Sequence, residues 1–367
     1  MEQNQLKTIV ERFAVGGTIS QIKPLGEGLI NDTFKVITAE ATEPDYVLQR
    51  VNHNVFPDVD MVMRNIDAVT SHIRKKLEAA GEDDIERKVL RFIPSKSDGK
   101  LYVVIDGQYW RLMVFIPNAI TKQAVDADSS RDAGRAFGRF QAMLADIPIQ
   151  LGETIKDFHN MEYRLSQLRE IVACDPVGRV AEPQVQCLLQ EIDARAEEMC
   201  KAERMGREGK LPKRVCHCDT KVNNMMFNDK GEVLCVIDLD TVMPNFIFSD
   251  YGDFLRTAAN FVAEDNADMS AVGFNMEIFK AFTEGYLASA RSFLLPVEIE
   301  NLPYAAALFP YMQCVRFLWD YLSGDKYWKC QYPEHNFVRA NNQFHLLKSV
   351  ESHYPEMQAF IQQCLNS

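Results

Sequence analysis

A loop with Asp and Asn five residues apart, followed one hairpin later by an Asp closing an apolar run, constrains this chain more than any other feature. Residues 213–241 read KRVCHCDTKVNNMMFNDKGEVLCVIDLDT. His217 and Asp219 lead to Lys221 and Asn224, and Asp238 ends the stretch holding Val233, Leu234, Val236 and Ile237. Such a segment must fold as a polar loop, a hairpin and a buried strand that terminates in a carboxylate. One reaction asks for each of these groups. A carboxylate takes the proton of an attacking hydroxyl, while an amide oxygen and a second carboxylate hold magnesium against nucleotide phosphates.

Asp219 is assigned as the catalytic base, because an alcohol is a poor nucleophile until its proton has an acceptor within hydrogen-bond reach. Lys221 stands where a cation can meet the γ-phosphate of ATP. Asn224, favoured over Asn223 by its spacing, and Asp238 supply hard oxygen ligands for Mg2+. Asp240, on strand alternation, points to the opposite face and is set aside as a ligand. His217 reads as a brace for the loop, with Asp250 and Asp253 as its candidate partners.

Upstream, Gly26, Gly28, Asn31 and Thr33 lie in Gly-Glu-Gly-Leu-Ile-Asn-Asp-Thr between two strand-like segments. Glycines let backbone approach phosphates closely, and Asn31 or Thr33 can add polar contacts. No Gly-Lys-Ser/Thr follows, so this is not a Walker loop. Where a protein kinase carries a strand lysine, residues 46–51 offer Gln49 or Arg50. The next helix offers Arg64 and Asp67, which is no lysine–glutamate pair.

Alternation and helical periodicity set the organisation. A short helix is expected in residues 1–14, with Leu6, Ile9, Val10 and Phe13 on one face. Strands are expected at 19–22, 32–37 and 46–51, then a helix over 61–80. Strand-like segments follow at 89–93, 102–105 and 110–116, the last two joined by a turn at Asp106-Gly107. Pro117-Asn118 makes a hinge. Helices are expected at 131–145 and twice within 157–207, a buried strand at 234–239, and helices almost throughout beyond Phe254. The fold class is α+β: a bilobal protein-kinase-like fold, with a β-rich nucleotide-binding lobe at 1–116 and a mostly helical catalytic and substrate lobe at 117–367. A chain of 367 residues is too long for one small core.

A net charge of −12 argues against a nucleic-acid or anionic-membrane partner, whose binding needs basic patches. No apolar run approaches bilayer length, and residues 1–7 lack a signal-peptide core. Nine cysteines, odd in number and scattered, suit reduced thiols. A cytoplasmic monomer is expected.

With these motifs in place, the chain resembles the aminoglycoside phosphotransferase and choline kinase superfamily, which shares the H-x-D-x-x-x-x-N and I-D elements. A narrower resemblance, to the N-acetylhexosamine 1-kinases, runs over nearly the whole chain. It is carried by residues 26–33, Asn54 to Asp58, Met63 to Asn65, His217 to Asn224, Ile237 to Pro244, Arg316 to Asp325 and Tyr332 to Asn336. That family phosphorylates the anomeric hydroxyl of N-acetylglucosamine or N-acetylgalactosamine with ATP and magnesium. The resemblance implies Asp219 as base and Asp238 with Asn224 at the metal. It also places Thr241, Arg316 and Tyr327 near the sugar, and its members too lack a clean strand lysine.

The residues alone leave two rivals. One is a kinase of another small hydroxyl compound, such as choline, homoserine, thioribose or an aminoglycoside. The mostly neutral, apolar segment 241–248 suits an uncharged acetamido sugar better than a cation. The other is a nucleotide-binding pseudokinase, which would have lost Asp219, Asn224 or Asp238.

Overall fold

The structure is a computed structural model, and it describes residues 3–26 and 30–366. In chain order it begins with α1 (Gln3–Val10), β1 (Ile19–Pro24), β2 (Asp32–Thr38), β3 (Tyr46–Val51), α2 (Val59–Ala79), α3 (Ile85–Lys88), β4 (Val103–Ile105) and β5 (Gln108–Val114). It continues with α4 (Ala127–Leu144), α5 (Met161–Cys174), α6 (Pro183–Met199), α7 (Lys201–Arg207), β6 (Arg214–Cys216), β7 (Met225–Phe227) and β8 (Val233–Val236). After β9 (Met243–Asn245) come α8 (Phe248–Ala258), α9 (Met276–Ala290), α10 (Pro296–Glu300), α11 (Leu302–Ser323), α12 (His335–Ser352) and α13 (Tyr354–Asn366). This is a mixed α+β chain, with its main sheet early and its helices late.

The chain groups into two compact units. One is 1–120 with 146–156 and 225–243, and the other is 121–145 with 157–224 and 244–367. The first holds an antiparallel sheet in the order β1-β2-β3-β5-β4. Its core joins Leu6, Ile9 and Val10 of α1 to Val36, Leu48, Trp110 and Leu112 of the strands. Each such side chain contributes roughly 1.5–3 kcal/mol through burial. The expected turn between β4 and β5 is present: Asp106 and Gly107 both take positive φ, 51° and 72°, which matches the twist of a tight hairpin. Asp58 caps α2 by accepting the Met61 N–H at 2.9 Å.

Two expectations fail here for local reasons. Residues 89–93 form no strand of their own. Ile93 N–H donates to Leu112 at 2.8 Å and Val114 N–H to Arg91 at 2.9 Å, but pairing amounts to one bridge, Phe92 to Met113. The strand expected at 234–239 ends at Val236. Asp238 instead takes a left-handed backbone, φ 59° and ψ 56°, and starts a 3₁₀ turn over Leu239–Thr241.

In the second unit, 157–207 forms three helices rather than two, because the chain breaks at Cys200 between α6 and α7. Helices α4 and α9 cross at backbone distance through Gly134, Gly138 and Gly285. A Cβ on Gly285 would collide with the Arg131 carbonyl oxygen, and one on Gly134 with the Phe282 carbonyl. Backbone cannot yield as a side-chain tip can. We expect Gly285→Ala to cost about 1–3 kcal/mol, read as a lower denaturant midpoint. Among the described residues no helix is long and apolar enough to cross a membrane.

Candidate active site

In the second unit, the loop after β6 carries His217, Asp219, Lys221 and Asn224, and buried carboxylates on α8 hold it. Asp250 accepts the backbone N–H of Cys218 at 2.8 Å and of His217 at 3.0 Å. The Gln141 amide on α4 also donates to Asp250, at 2.7 Å, and is itself held by the Tyr286 hydroxyl at 2.6 Å. Asp253 accepts from Thr220 N–H at 3.1 Å. The Thr220 hydroxyl donates to the Asp250 carbonyl at 2.7 Å. Burial lifts the Asp250 carboxyl above the ordinary carboxylate range, against the pull of His217 and its donors. Burial raises Asp253 as well, with Arg256 opposing and Asp219 adding to the rise.

This frame fixes the loop's shape. Cys218 sits at φ 64°, a strained value for a non-glycine residue that neighbours must enforce. The ring of His217 is wedged edge-on by Phe137 and Phe140, 6.1 and 6.0 Å away. Its Nδ1 accepts the Asp219 N–H at 3.2 Å, which sets the Asp219 backbone. The Asn224 amide nitrogen donates to the Asp219 carbonyl at 2.8 Å and to its Oδ2 at 3.0 Å. That leaves the Asn224 amide oxygen as the atom able to meet a cation. Lys221 pairs with Asp219 Oδ1 at 2.8 Å and is 45% exposed. Burial works against the Lys221 charge, but neighbouring Asp219 prevails and holds the ammonium above its ordinary value.

Sequence reading offers Asp250 and Asp253 as partners of His217; what it leaves out is that they hold the loop through backbone N–H groups, with Gln141 behind Asp250. Gln141 carried one usable signal, an amide on the helical face that holds Phe137, Phe140 and Leu144. We expect Asp250→Asn to turn an amide nitrogen toward at least one of its three N–H donors. Each donor left unsatisfied costs about 1–3 kcal/mol. Turnover should fall as well, because Asp219 follows the anchored pair directly. Denaturation and kcat measured side by side check both.

In the first unit, Asp240 is a buried anchor. Strand alternation does not apply to it, because it lies in the 3₁₀ turn. Its carboxylate is paired by Arg111 of β5, Nη2 to Oδ2 at 3.0 Å with Nη1 on Oδ1, and each side chain is 2% exposed. The Asn31 amide donates to Asp240 Oδ2 at 2.8 Å and accepts Asn52 N–H at 2.9 Å. Arg111 Nε donates to Gln49 at 2.9 Å, and Gln49 donates to the Thr33 hydroxyl at 3.1 Å. The strand lacking a lysine thus carries a glutamine that orients an arginine on the adjacent strand. The network links Asn31 and Thr33 to the turn that begins at Asp238. Asn65 secures the far side, donating to the Val242 carbonyl at 3.0 Å. Thr241 is buried in the same turn. Gly26 has φ 70°, while Gly28 lies outside the described residues.

Arg316 and Tyr327 share a neighbourhood in the second unit. Arg316 stacks over Trp328 at 5.2 Å and Phe158 at 5.5 Å and donates to Gln313 at 2.8 Å. Tyr327 packs edge-on against Trp328 at 4.6 Å and is 59% exposed. The Asp320 carboxylate holds the Tyr327 and Trp328 amides at 2.9 and 3.0 Å.

The family model described as "phosphotransferase enzyme family" matches residues 21–286. The chain belongs to that family. It is a kinase-type phosphotransferase with the fold of the aminoglycoside phosphotransferases. An aminoglycoside phosphotransferase from Alicyclobacillus acidocaldarius is similar over 97% of this chain and 96% of its own, at 12% identity and a TM-score of 0.61. An amicoumacin kinase solved with AMP-PNP and Ca2+ is similar over 96% and 94%, at 13% identity and 0.59. A choline/ethanolamine kinase family protein from Mesorhizobium loti covers 98% and 99%, at 14% identity and 0.59. At such identities the likeness carries the fold.

Proposed function

We propose that this phosphotransferase moves the γ-phosphoryl group of ATP to the anomeric hydroxyl of an N-acetylhexosamine, giving the sugar 1-phosphate. The observation that carries the choice of acceptor is the guanidinium of Arg316 on the aromatic wall of Phe158 and Trp328. No carboxylate pairs with it among the described residues. A positive charge without a counter-charge repels choline or an aminoglycoside, and it donates hydrogen bonds readily to sugar hydroxyls and an acetamido oxygen. Trp328 and the exposed Tyr327 offer rings to a sugar's apolar face. Thr241 is assigned to the sugar through the resemblance.

Asp219 accepts the proton as the anomeric oxygen attacks phosphorus, and the bond to ADP breaks in line. Lys221 pairs with Asp219 at 2.8 Å and stands ready for the developing charge on the phosphoryl oxygens. Gly26, Gly28 and Thr33 form the phosphate side of the nucleotide site, with Asn31 acting through its bond to Asp240. His217 and Asp253 support the catalytic loop. The Asp238 carboxylate and the Asn224 amide oxygen are hard oxygen donors of the kind Mg2+ takes; when bound, the ion would offset phosphate charge.

The test is ADP release with ATP and magnesium across N-acetylglucosamine, N-acetylgalactosamine, glucose, galactose, choline, homoserine and kanamycin. Turnover on the acetamido sugars with loss of the reducing end is expected. Turnover confined to choline, homoserine or kanamycin overturns the acceptor assignment.

A further inference from the structure

Arg316 is not alone. Arg164 on α5 converges on the same residue, Phe158: its Nη2 and Nε donate to the Phe158 carbonyl at 2.8 and 3.2 Å, and its Nη1 to Gln167 at 2.9 Å. Both guanidiniums are half-buried, and neither pairs with a carboxylate among the described residues. Asp157 and Asp253 act on them only through space. Asp157 is taken by Asn160 at 2.8 Å, and Asp253 by Arg256 and the Thr220 amide. Other enclosed arginines of this chain are treated differently. Arg111 has Asp240, Arg256 has Asp253 and Glu264, and Arg214 has Glu298.

The repulsion between the two cations is felt locally. Burial, reinforced by Arg164, brings the Arg316 guanidinium down to about 10. Near them His159 stacks on Phe158 at 4.3 Å and meets Phe309 edge-on at 4.9 Å. Its Nδ1 lies 3.2 Å from the Ser249 hydroxyl. Burial, with both arginines beside it, pushes the His159 imidazole well below its ordinary value, so it stays neutral and does not add a third cation. Two forks of N–H donors without an anion, in a half-buried aromatic setting, carry an unfavourable charge that a ligand can relieve.

We propose that Arg164 and Arg316 form an anion subsite, with Trp328 as its apolar wall, that takes a carboxylate, sulfate or phosphate group borne by the acceptor. In the sugar reading, on which this rests, an N-acetylhexosamine bearing an acidic substituent is preferred over the neutral sugar, which is still accepted.

Two arms test it. The first is calorimetric titration of inorganic sulfate into the protein with the nucleotide site saturated by magnesium and ADP. Saturable binding is expected in the parent protein, weakened about ten- to a hundredfold in Arg164→Gln. Arg164→Lys keeps the charge without the fork and should fall between them. Circular dichroism confirms that the variants fold. No saturable binding, or binding equal in Arg164→Gln, overturns the subsite. The second arm compares kcat/KM for N-acetylglucosamine 6-sulfate against N-acetylglucosamine, and for glucuronate against glucose. The acidic member of each pair should lead, and its lead should shrink at least about tenfold in Arg164→Gln. Sulfate binding with no preference among accepted sugars overturns the acceptor role, since the anion then comes free from solution. Arg164-dependent sulfate binding with no sugar turned over sinks the sugar reading and supports the subsite.

Discussion

Replacing Asp219 by Asn lowers kcat by about 10² to 10⁴ and leaves the protein folded. Asn keeps the size of the side chain and an oxygen for the Asn224 amide, which lies 3.0 Å from Asp219 Oδ2. The backbone contact with His217 Nδ1 at 3.2 Å does not involve the carboxylate. What is lost is the proton acceptor and the ion pair with Lys221. That pair is half-exposed, so its contribution to stability is at most about 1 kcal/mol. A purely structural Asp219 would show the opposite pattern, with a lower melting temperature and a kcat reduced only modestly. Steady-state kinetics beside thermal unfolding separate the two, and a variant within tenfold of the parent kcat removes Asp219 from the chemistry.

Asp240→Asn destabilises the protein by about 3–5 kcal/mol, the usual result of removing one partner from a buried ion pair. Three donors converge on this carboxylate, two from Arg111 and one from Asn31. An Asn meets at least one of them with its own N–H group and leaves a buried guanidinium uncompensated. Gln49, at 2.9 Å from Arg111 Nε, is neutral and cannot replace the charge. The double variant Arg111→Met with Asp240→Leu should recover much of the loss, because it removes the charge together with its partner. Both variants should raise KM for ATP, since the network shapes the turn carrying Asp238 and the segment carrying Thr33. Urea unfolding reads the first effect and initial-rate kinetics the second. A single variant within about 1 kcal/mol of the parent would mean the pair is dispensable.

Much of this was legible in the chain itself. Apolar alternation placed strands at 19–22, 32–37 and 46–51, within β1, β2 and β3, and helical periodicity located α1, α2 and α4, because both signals repeat over a few residues. Asp106-Gly107 specified its own turn. Residues 89–93 misled for a related reason: an apolar run reports burial, not whether a neighbouring strand is long enough to pair with it. The alternation argument for Asp240 failed where the strand stopped, at a left-handed Asp238 that hydropathy does not mark.

The sequence alone determined which polar groups share one loop, His217, Asp219, Lys221 and Asn224, because their spacing is short enough for the local backbone to bring them together. It also determined that a carboxylate ends the following hairpin. Tertiary structure alone decided what holds and charges these groups. Arg111 meets Asp240 across 129 positions, and Gln141 meets Asp250 across 109. Arg164 and Arg316 converge on Phe158 from separate helices. Such pairs depend on which elements pack together, and that choice is made by the burial of whole helix and strand faces rather than by any spacing along the chain.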